Sequence, residues 1–274
     1  MEIVLLGTGN PLPDPRRAGP ASLVRAAGRD LLFDAGRGVL LRAAEIGIGA
    51  PRLDSVYLTH LHSDHLTDLN DLITTRWTLS FAPSPLEIYG PVGTAAVVDA
   101  ILSSLAADIG YRMAHHRDLT EGPQALVTEV TPGTTIERGE VTIRVGATEH
   151  KPVHPSIGFR VQAADKSVVI AGDTLPCEGL DELCRSADAY VQTVLRADLV
   201  RNIGVPRFLD VLDYHSSVEQ AAQTARRCGV DTLVLTHYIP SMAPGTEEEW
   251  LAPARAHFSG RVVLGDDLLT VSLD

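Results

Sequence analysis

The stretch Thr59-His60-Leu61-His62-Ser63-Asp64-His65 follows the apolar run Val56-Tyr57-Leu58 and places four metal-capable side chains within six residues. An apolar run followed by a polar loop predicts a buried strand that carries ligands at its end. The first two histidines are two residues apart, and an extended segment directs such a pair to the same face. The aspartate and the last histidine follow where the chain turns, so we expect them to face a second point nearby. The stretch therefore predicts a loop that holds two metal ions.

Length and composition are those of a folded protein. The chain has 274 residues, of which 45% are hydrophobic and 21% are charged, and we expect one domain over residues 1–274. The net charge of −12 argues against a general surface for nucleic acid or anionic membranes, because phosphates attract basic protein faces. A metal ion can still create a local anion site inside a cleft.

The cysteines and the N-terminus indicate the compartment. Cys177, Cys184 and Cys228 show no C-x-x-C spacing, and so few cysteines in a chain of this length indicate free thiols in a reducing compartment. The N-terminal residues lack a basic region followed by a long apolar segment, so we expect no signal peptide. No stretch approaches the roughly 20 apolar residues of a membrane-spanning helix. These features predict a cytoplasmic protein with no membrane partner.

The strand pattern predicts two similar halves. The first half has a buried strand and a hairpin joined near Gly28, whereas the second has a hairpin around Asp165-Lys166 that returns to Gly172-Asp173-Thr174. The apolar segments between Leu126 and Val145 are grouped with the second half. Two such halves predict two facing sheets with helices outside, a four-layer α/β/β/α sandwich. Ligands at strand ends agree with the usual place of sites in open sheets.

Helical patterns fill the segments between the strands. Leucines three apart in residues 66–73 predict a helix that begins at or just after Asp64. One helix is expected from about Gly93 to Ala107, and a less regular region with His115 and His116 follows it. Adjacent histidines of this kind are typical of a solvated face, since neighbouring side chains rarely converge on one point.

Two helix starts carry polar residues with more than one possible role. Asp34 could cap the helix that follows it, or it could hold the histidine loop by hydrogen bonds from its carboxylate. Ser216 or Ser217 is predicted to cap a helix that ends at Cys228-Gly229. His215 stands just before that helix and could merely cap it or pack against it.

Three further candidate ligands, His150, Asp173 and His237, stand just after an apolar strand or in a loop with glycine and proline. With the side chains of residues 60–65 they make seven histidines and aspartates without a cysteine, a set that suits Zn²⁺, with Mn²⁺ or Fe²⁺ possible. Seven ligands are too many for one tetrahedral ion but fit two ions that share a bridging carboxylate, commonly roughly 3.5–4 Å apart in hydrolases. His154 lies four residues after His150, so either histidine could be the ligand.

Several motifs resemble the metallo-β-lactamase superfamily in their order and spacing, over nearly the whole chain. They are Phe33-Asp34-x-Gly36-x-Gly38, His60-x-His62-x-Asp64-His65, His150, Gly172-Asp173-Thr174 and Leu233-Val234-Leu235-Thr236-His237. Within the superfamily the sequence resembles the ribonuclease Z and arylsulfatase-like branch. The segments that carry this second resemblance are His215-Ser216-Ser217-x-Glu219-Gln220-Ala221 and His150-Lys151-Pro152-Val153 ahead of Gly158-Phe159-Arg160.

The resemblance implies a dinuclear zinc hydrolase with a metal-bound hydroxide as nucleophile. The implied ligands are His60, His62 and His150 for one ion, Asp64, His65 and His237 for the other, and Asp173 as the bridge. Asp64 would also orient the hydroxide. The family pattern places a ligand eight residues before the Gly-Phe-Arg strand, which selects His150 and leaves His154 as a pocket wall or an outer hydrogen-bond donor. His215 resembles the histidine of this branch that meets the leaving group or a substrate oxyanion.

The sequence departs from the transfer-RNA-processing members of the branch. Those members carry a long basic arm between the Gly-Phe-Arg strand and the Gly-Asp-Thr turn, where this chain has only the ten residues from Gln162 to Ala171. The loop after Gly9 also lacks the lysine and asparagine typical of those enzymes. With the net charge of −12, we therefore expect a small-molecule substrate (a phosphodiester, a sulfate ester, or a lactone or carboxylic ester) and expect nucleic acid to be an unlikely partner.

Two alternatives remain open at this point. The first is a ribonuclease Z-type endonuclease acting at RNA 3′ ends, and the second is a metal-binding scaffold without turnover. The scaffold is disfavoured because all seven candidate ligands are present. A homodimer is possible, although only by analogy with the branch.

Overall fold

The computed structural model describes residues 1–273, and its strands form two seven-stranded sheets. The first sheet contains, in spatial order, β14 (Thr270–Ser272), β1 (Glu2–Gly7), β2 (Ala21–Ala26), β3 (Arg29–Phe33), β4 (Ser55–Tyr57), β5 (Leu86–Gly90) and β6 (Ala125–Glu129). The second contains β13 (Arg261–Leu264), β12 (Thr232–Ile239), β11 (Ala189–Leu195), β10 (Lys166–Ile170), β9 (Ile157–Ala163), β8 (Val141–Ala147) and β7 (Thr135–Arg138).

Each sheet changes from antiparallel to parallel pairing partway across. In the first sheet β1, β2 and β3 pair antiparallel, whereas β3 to β6 are parallel neighbours. In the second sheet β7 to β10 pair antiparallel, whereas β10 to β13 are parallel. The carboxyl ends of parallel strands share one edge of a sheet, which is where sites of α/β proteins form. The expected repetition of two halves is thus present in the pairing.

Helices cover the outer faces of both sheets. The helices of the described residues are α1 (Val39–Glu45), α2 (Leu69–Leu79), α3 (Thr94–Ser104), α4 (Ala106–His115), α5 (Glu178–Cys184), α6 (Ala197–Ile203), α7 (Pro206–Leu209), α8 (Val218–Cys228) and α9 (Glu247–His257). One apolar core lies between the first sheet and α1 to α3, a second lies between the two sheets, and a third lies between the second sheet and α5, α8 and α9. The predicted four-layer α/β/β/α sandwich is confirmed.

An aromatic cluster in the core between the sheets fixes the strand ends that lead to the histidine loop. Phe33 and Tyr57 are the last residues of β3 and β4, and their rings stack with centroids 4.8 Å apart. Phe159 on the opposite sheet contacts both, at 5.5 Å and 5.6 Å between centroids. Such pairs each add roughly 0.5–1.5 kcal/mol beyond the burial of their area. The cluster therefore holds the two sheets in register directly below the loops.

The structure corrects several predicted elements. Asp64 lies in a 3-10 turn at Ser63–His65, and α2 begins only at Leu69, because Asp68 before it is tied by its carboxylate to the Gly38 amide. The single helix predicted from Gly93 to Ala107 is two helices that bend at Leu105, and the region expected to be irregular is helical as far as His115. The strand predicted at 126–130 joins the first sheet through β5 rather than the second half.

Within residues 1–273, no single helix is long and apolar enough to cross a membrane. The pair α3 and α4, bent by 56°, meets the criteria of length and composition only when its two helices are taken together.

Candidate metal centre

The seven candidate ligands meet at the shared edge of the two sheets. His60 and His62 come from the loop after β4, whereas Asp64 and His65 come from the 3-10 turn that follows. The other three belong to the second sheet: His150 lies in the loop between β8 and β9, Asp173 follows β10, and His237 lies near the end of β12. Amide Ile157 N donates to Thr59 O at 3.0 Å and joins the two loops. The fold therefore brings together every ligand that the sequence singles out.

Close approach of backbones at this edge depends on Gly172. Its φ is +65°, a left-handed conformation, and a Cβ there would lie 2.6 Å from the Cβ of Thr59. Only glycine fits both conditions. Asp34 and His237 also have left-handed backbones, with φ of 60° and 51°. Backbone strain of this kind is concentrated at functional sites.

The ligand atoms form two groups, within each of which all ligand atoms lie within 4.8 Å of one another. The first group is His60, His62, His150 and Asp173, and the second is Asp64, His65 and His237. In the first, Nδ1 of His62 lies 3.1 Å from Nε2 of His60 and 3.2 Å from Nε2 of His150. In the second, Oδ2 of Asp64 lies 3.2 Å from Nε2 of His237 and 3.6 Å from Nε2 of His65.

Asp173 belongs to the first group and also faces the second. Its Oδ2 atom lies 3.2–3.8 Å from the Nε2 atoms of five histidines, namely His60, His65, His150, His215 and His237. Its Oδ1 atom points away from them and accepts a hydrogen bond from the hydroxyl of Thr193 at 2.7 Å. One carboxylate oxygen therefore faces both groups at once.

Outer hydrogen bonds set the orientation of the histidine rings. Nδ1 of His65 donates to Asp34 Oδ2 at 2.8 Å, and Nδ1 of His60 lies 3.0 Å from the hydroxyl of Thr59, which in turn contacts the Asp34 carboxylate. Nδ1 of His150 donates to the carbonyl of Tyr214 at 2.8 Å. In each ring the other nitrogen, Nε2, is left to face the cluster, as metal ligation requires. Of the two interpretations of Asp34, the hydrogen-bonding one is correct.

Burial keeps the first group of histidines neutral. It lowers the pKa of His60 well below its usual value, lowers the pKa of His62, and brings the pKa of His150 to about 4. A neutral imidazole is the form that binds a metal, because a proton would occupy the same lone pair. These three side chains are thus ready to act as ligands at neutral pH.

In the second group, neighbouring carboxylates outweigh the effect of burial on the histidine pKa. Burial disfavours the charged form of His65, but the carboxylates of Asp173 and Asp34 outweigh it and raise the pKa of His65 well above its usual value. Burial also disfavours ionised Asp173, yet the neighbouring histidines, chiefly His237, hold its pKa well below the usual range. A site of this kind stabilises positive charge, and a divalent cation competes with protons for it.

The residues fit a pair of divalent cations. The donor set contains imidazole nitrogens and carboxylate oxygens, which suit first-row divalent metals. Nε2 of His65 is buried without a hydrogen-bond partner, although its other nitrogen is bonded to Asp34. A buried polar atom without a partner is costly, and a metal ion at this point removes that cost.

His215 also lies at the cluster, whereas His154, His115 and His116 do not. Nδ1 of His215 lies 3.2 Å from the carbonyl of Val211, and its Nε2 lies 3.2 Å from Asp173 Oδ2. The helix α8 is capped by Ser217 in a capping box with Gln220, so capping is not the role of His215. His154 is exposed and lies outside both groups, and His115 and His116 are exposed at the end of α4.

Sequence reasoning missed the outer contacts made by Thr59, Thr193 and the carbonyls of residues 211 and 214. Thr59 stands directly before the first histidine and could have been included on that ground. Thr193 lies near the end of the buried strand β11, between β10, which leads to Asp173, and β12, which carries His237, and this position is a weaker signal. Backbone carbonyls leave no signal in a sequence, because every residue has one.

Comparison with known proteins identifies the class to which this fold and cluster belong. Residues 29–238 match the family described as "Beta-lactamase superfamily domain". A metallo-β-lactamase fold protein of Bacillus subtilis has the same fold, with a TM-score of 0.74, 21% identity and 99% of each chain covered. The chain therefore belongs to the β-lactamase superfamily.

Relatives of higher identity show to which family within the superfamily the chain belongs. A protein of Mycobacterium avium named ribonuclease Z is 56% identical over 276 residues, which cover 100% of this chain and 99% of that protein. The short form of human tRNase Z is 26% identical with a TM-score of 0.74, and all of each chain is covered. The chain belongs to the ribonuclease Z family, and it is a metal-dependent hydrolase. The expected superfamily and its ribonuclease Z branch are confirmed, whereas an arylsulfatase-like character is not supported.

The expected partner is wrong. A small-molecule substrate, with nucleic acid unlikely, is contradicted by full-length relatives that are named as ribonucleases. β9 and β10 are joined by the short turn Ala164-Asp165, so the long arm is indeed missing, but the Mycobacterium avium relative also has no room for it. The net charge misled because it sums the whole surface, whereas a phosphate meets only the local field of the site.

Proposed function

We propose that this chain is a ribonuclease Z-type endonuclease that cuts a phosphodiester bond at the 3′ end of precursor transfer RNA. The observation that carries the proposal is the 56% identity over 276 residues to a protein named ribonuclease Z. The full-length match to the short form of human tRNase Z supports transfer RNA as the kind of RNA. The buried cluster of histidines and aspartates supports metal-dependent hydrolysis rather than metal-free cleavage.

We propose that the two groups of side chains each hold one divalent cation, with Asp173 shared. His60, His62 and His150 would hold one ion, and Asp64, His65 and His237 the other. Zinc suits these donors best, with Mn²⁺ or Fe²⁺ as substitutes. When bound, such a pair supplies a nucleophile at neutral pH and positive charge for the phosphate oxygens.

The side chains of this chain supply positioning and a proton. Asp34 and the carbonyl of Tyr214 hold three of the histidine ligands in the orientation that ligation needs. Nδ1 of His215 lies 3.2 Å from Val211 O, where Nδ1–H can donate, and Nε2 faces the cluster 3.2 Å from Asp173 Oδ2. A proton on this Nε2 would pass to the leaving ribose oxygen. A positioned general acid of this kind contributes roughly 10²–10⁴-fold to a rate. Asp64 lies in the second group and helps to set the position of the attacking oxygen.

The acidic surface is compatible with an RNA substrate. Two divalent cations would add four positive charges at the cleft, which reverses the local sign where the scissile phosphate sits. Lys151, which follows the candidate ligand His150, pairs with Glu149 at 2.9 Å and therefore adds no net positive charge of its own. The charge that an RNA meets at the cleft therefore differs from the average over the protein.

Cleavage of a precursor transfer RNA with a 3′ trailer tests the proposal. We expect the metal-loaded protein to release the trailer at one position, to lose this activity on chelation, and to regain it with Zn²⁺. Mature transfer RNA lacking the trailer should stay intact. The variant His115→Ala removes an exposed histidine outside the cluster and serves as the matched control, which should cleave like the wild type.

Two results would contradict the proposal. One is a protein that turns over bis-p-nitrophenyl phosphate but leaves the precursor RNA uncut under the same conditions. The other is RNA cleavage that persists after complete removal of metal, since it would point to a contaminating nuclease or to another mechanism.

A further inference from the structure

Thr193 occupies a special position at the end of the second sheet. It lies on β11, between β10, whose end leads to Asp173, and β12, which carries His237. The parallel register pairs Val191 with Ile170 on one side and Thr193 itself with Thr236 on the other. The Thr193 residue is only 3% exposed. Three adjacent parallel strands therefore deliver Asp173, Thr193 and His237 to the same point.

The hydroxyl of Thr193 acts on one oxygen of the shared carboxylate. It donates to Asp173 Oδ1 at 2.7 Å, whereas Oδ2 of the same carboxylate lies 3.4 Å from His65 Nε2 and 3.8 Å from His60 Nε2. The two oxygens thus have separate environments, one bonded to the sheet and one facing both ligand groups. Asp34 differs, because both of its oxygens accept hydrogen bonds, Oδ1 from the amide of Thr59 and Oδ2 from the Thr59 hydroxyl and from Nδ1 of His65.

An aspartate without this hydrogen bond would not keep its two oxygens in separate environments. The terminal torsion of a carboxylate is broad and roughly two-fold, so its oxygens can exchange or can both turn to a single ion. A hydrogen bond from a fixed donor to Oδ1 opposes that rotation. Threonine is a suitable donor, because its branched Cβ restricts χ1 and its place in a buried strand fixes the backbone.

We propose that Thr193 is a positioning residue that makes Asp173 present a single oxygen, Oδ2, to both metal ions. This inference rests on the proposed ligand set, in which Asp173 is the shared ligand. Thr193 belongs to neither ligand group and acts through Asp173. Its hydroxyl holds Oδ1 against the sheet, which would leave Oδ2 as the oxygen that two ions could share.

Metal titration of Thr193→Val and Thr193→Ser tests this role. Valine keeps the shape of threonine but removes the hydroxyl, whereas serine keeps the hydroxyl and removes a methyl group. Loss of an outer partner of a ligand typically weakens metal binding by roughly 10–100-fold, and we expect the valine variant to lose this much affinity for its more weakly bound ion. The serine variant should bind within about threefold of the wild type, because the hydrogen bond is retained.

A spectroscopic measurement separates positioning from packing. Electron paramagnetic resonance of the Mn²⁺-loaded proteins reports the magnetic coupling between the two ions, which depends on the atom that they share. We expect coupled spectra for the wild type and Thr193→Ser, and mainly uncoupled spectra for Thr193→Val. Thermal unfolding of the metal-free proteins shows whether each variant is folded. If Thr193→Val does not fold, Thr193→Ser still tests the role, because loss of the methyl group would weaken metal binding if Thr193 acted through packing.

The outcomes distinguish this inference from the proposed function. A wild-type protein that binds fewer than two ions would overturn the ligand assignment and this inference together. A wild type that binds two ions, with a valine variant that binds and couples them equally well, would overturn this inference alone. A serine variant as weak as valine would also overturn it. None of these readouts depends on cleavage of RNA.

Discussion

Replacement of Asp173 by alanine is expected to disrupt metal binding at both ligand groups and to lower RNA cleavage at least about a thousand-fold. The reason is geometric: Oδ2 of Asp173 lies 3.4 Å from His65 Nε2 in one group and 3.8 Å from His150 Nε2 in the other. Bound metal ions stabilise transition-state charge by several kcal/mol, and each 1.4 kcal/mol is about tenfold in rate. Metal analysis and single-turnover cleavage of the precursor RNA measure the two effects.

The matched control for this change is Asp165→Ala. Asp165 is exposed in the turn between β9 and β10, on the same segment of chain as Asp173, but it lies outside both ligand groups. We expect it to bind metal and cleave RNA like the wild type. Retention of two ions in Asp173→Ala, with cleavage within tenfold of the control, would show that Asp173 is not the shared ligand.

Replacement of His215 by alanine is expected to leave both metal ions bound and to slow RNA cleavage by roughly 10²–10⁴-fold, the usual contribution of a general acid. The effect should depend on the leaving group. A ribose oxygen needs a proton as it departs, whereas p-nitrophenolate leaves without one. With bis-p-nitrophenyl phosphate the same variant should therefore lose no more than about tenfold, which steady-state kinetics on the two substrates measures.

Two controls define this prediction. Metal analysis of His215→Ala shows whether the change acts on the ions, since Nε2 of His215 lies 3.2 Å from Asp173 Oδ2. Equal losses on both substrates with both ions present would indicate that His215 stabilises a substrate oxyanion rather than donating a proton. Loss of an ion would make it a positioning residue for Asp173.

Much of the fold follows from local sequence patterns. Continuous apolar runs closed by glycine and aspartate turns predict the hairpins and the two facing sheets, because both faces of each sheet are covered and need apolar residues. The failures are at places where tertiary contacts decide. α2 begins at Leu69 because Asp68 is tied to Gly38, which is far away in the sequence. The helices between 197 and 209 follow no periodic pattern that the sequence reveals.

The histidines and aspartates of the cluster are predictable because metal ligation demands particular side chains at strand ends. The residues that hydrogen-bond to these side chains are less predictable from the sequence. Tyr214 and Val211 act through backbone carbonyls, and Thr193 acts through a common hydroxyl on a strand distant in sequence from residues 60–65. Such contacts depend on where the chain folds back, not on residue type. The substrate prediction was wrong for a related reason. The net charge describes the average over the whole surface, and the missing arm describes only one mode of RNA binding.

The most direct measurement is anomalous diffraction from crystals of the metal-loaded protein. The account predicts two peaks, one within the group of His60, His62 and His150 and one within the group of Asp64, His65 and His237, with the Asp173 carboxylate between them. A single peak, or metal bound away from these side chains, would contradict it.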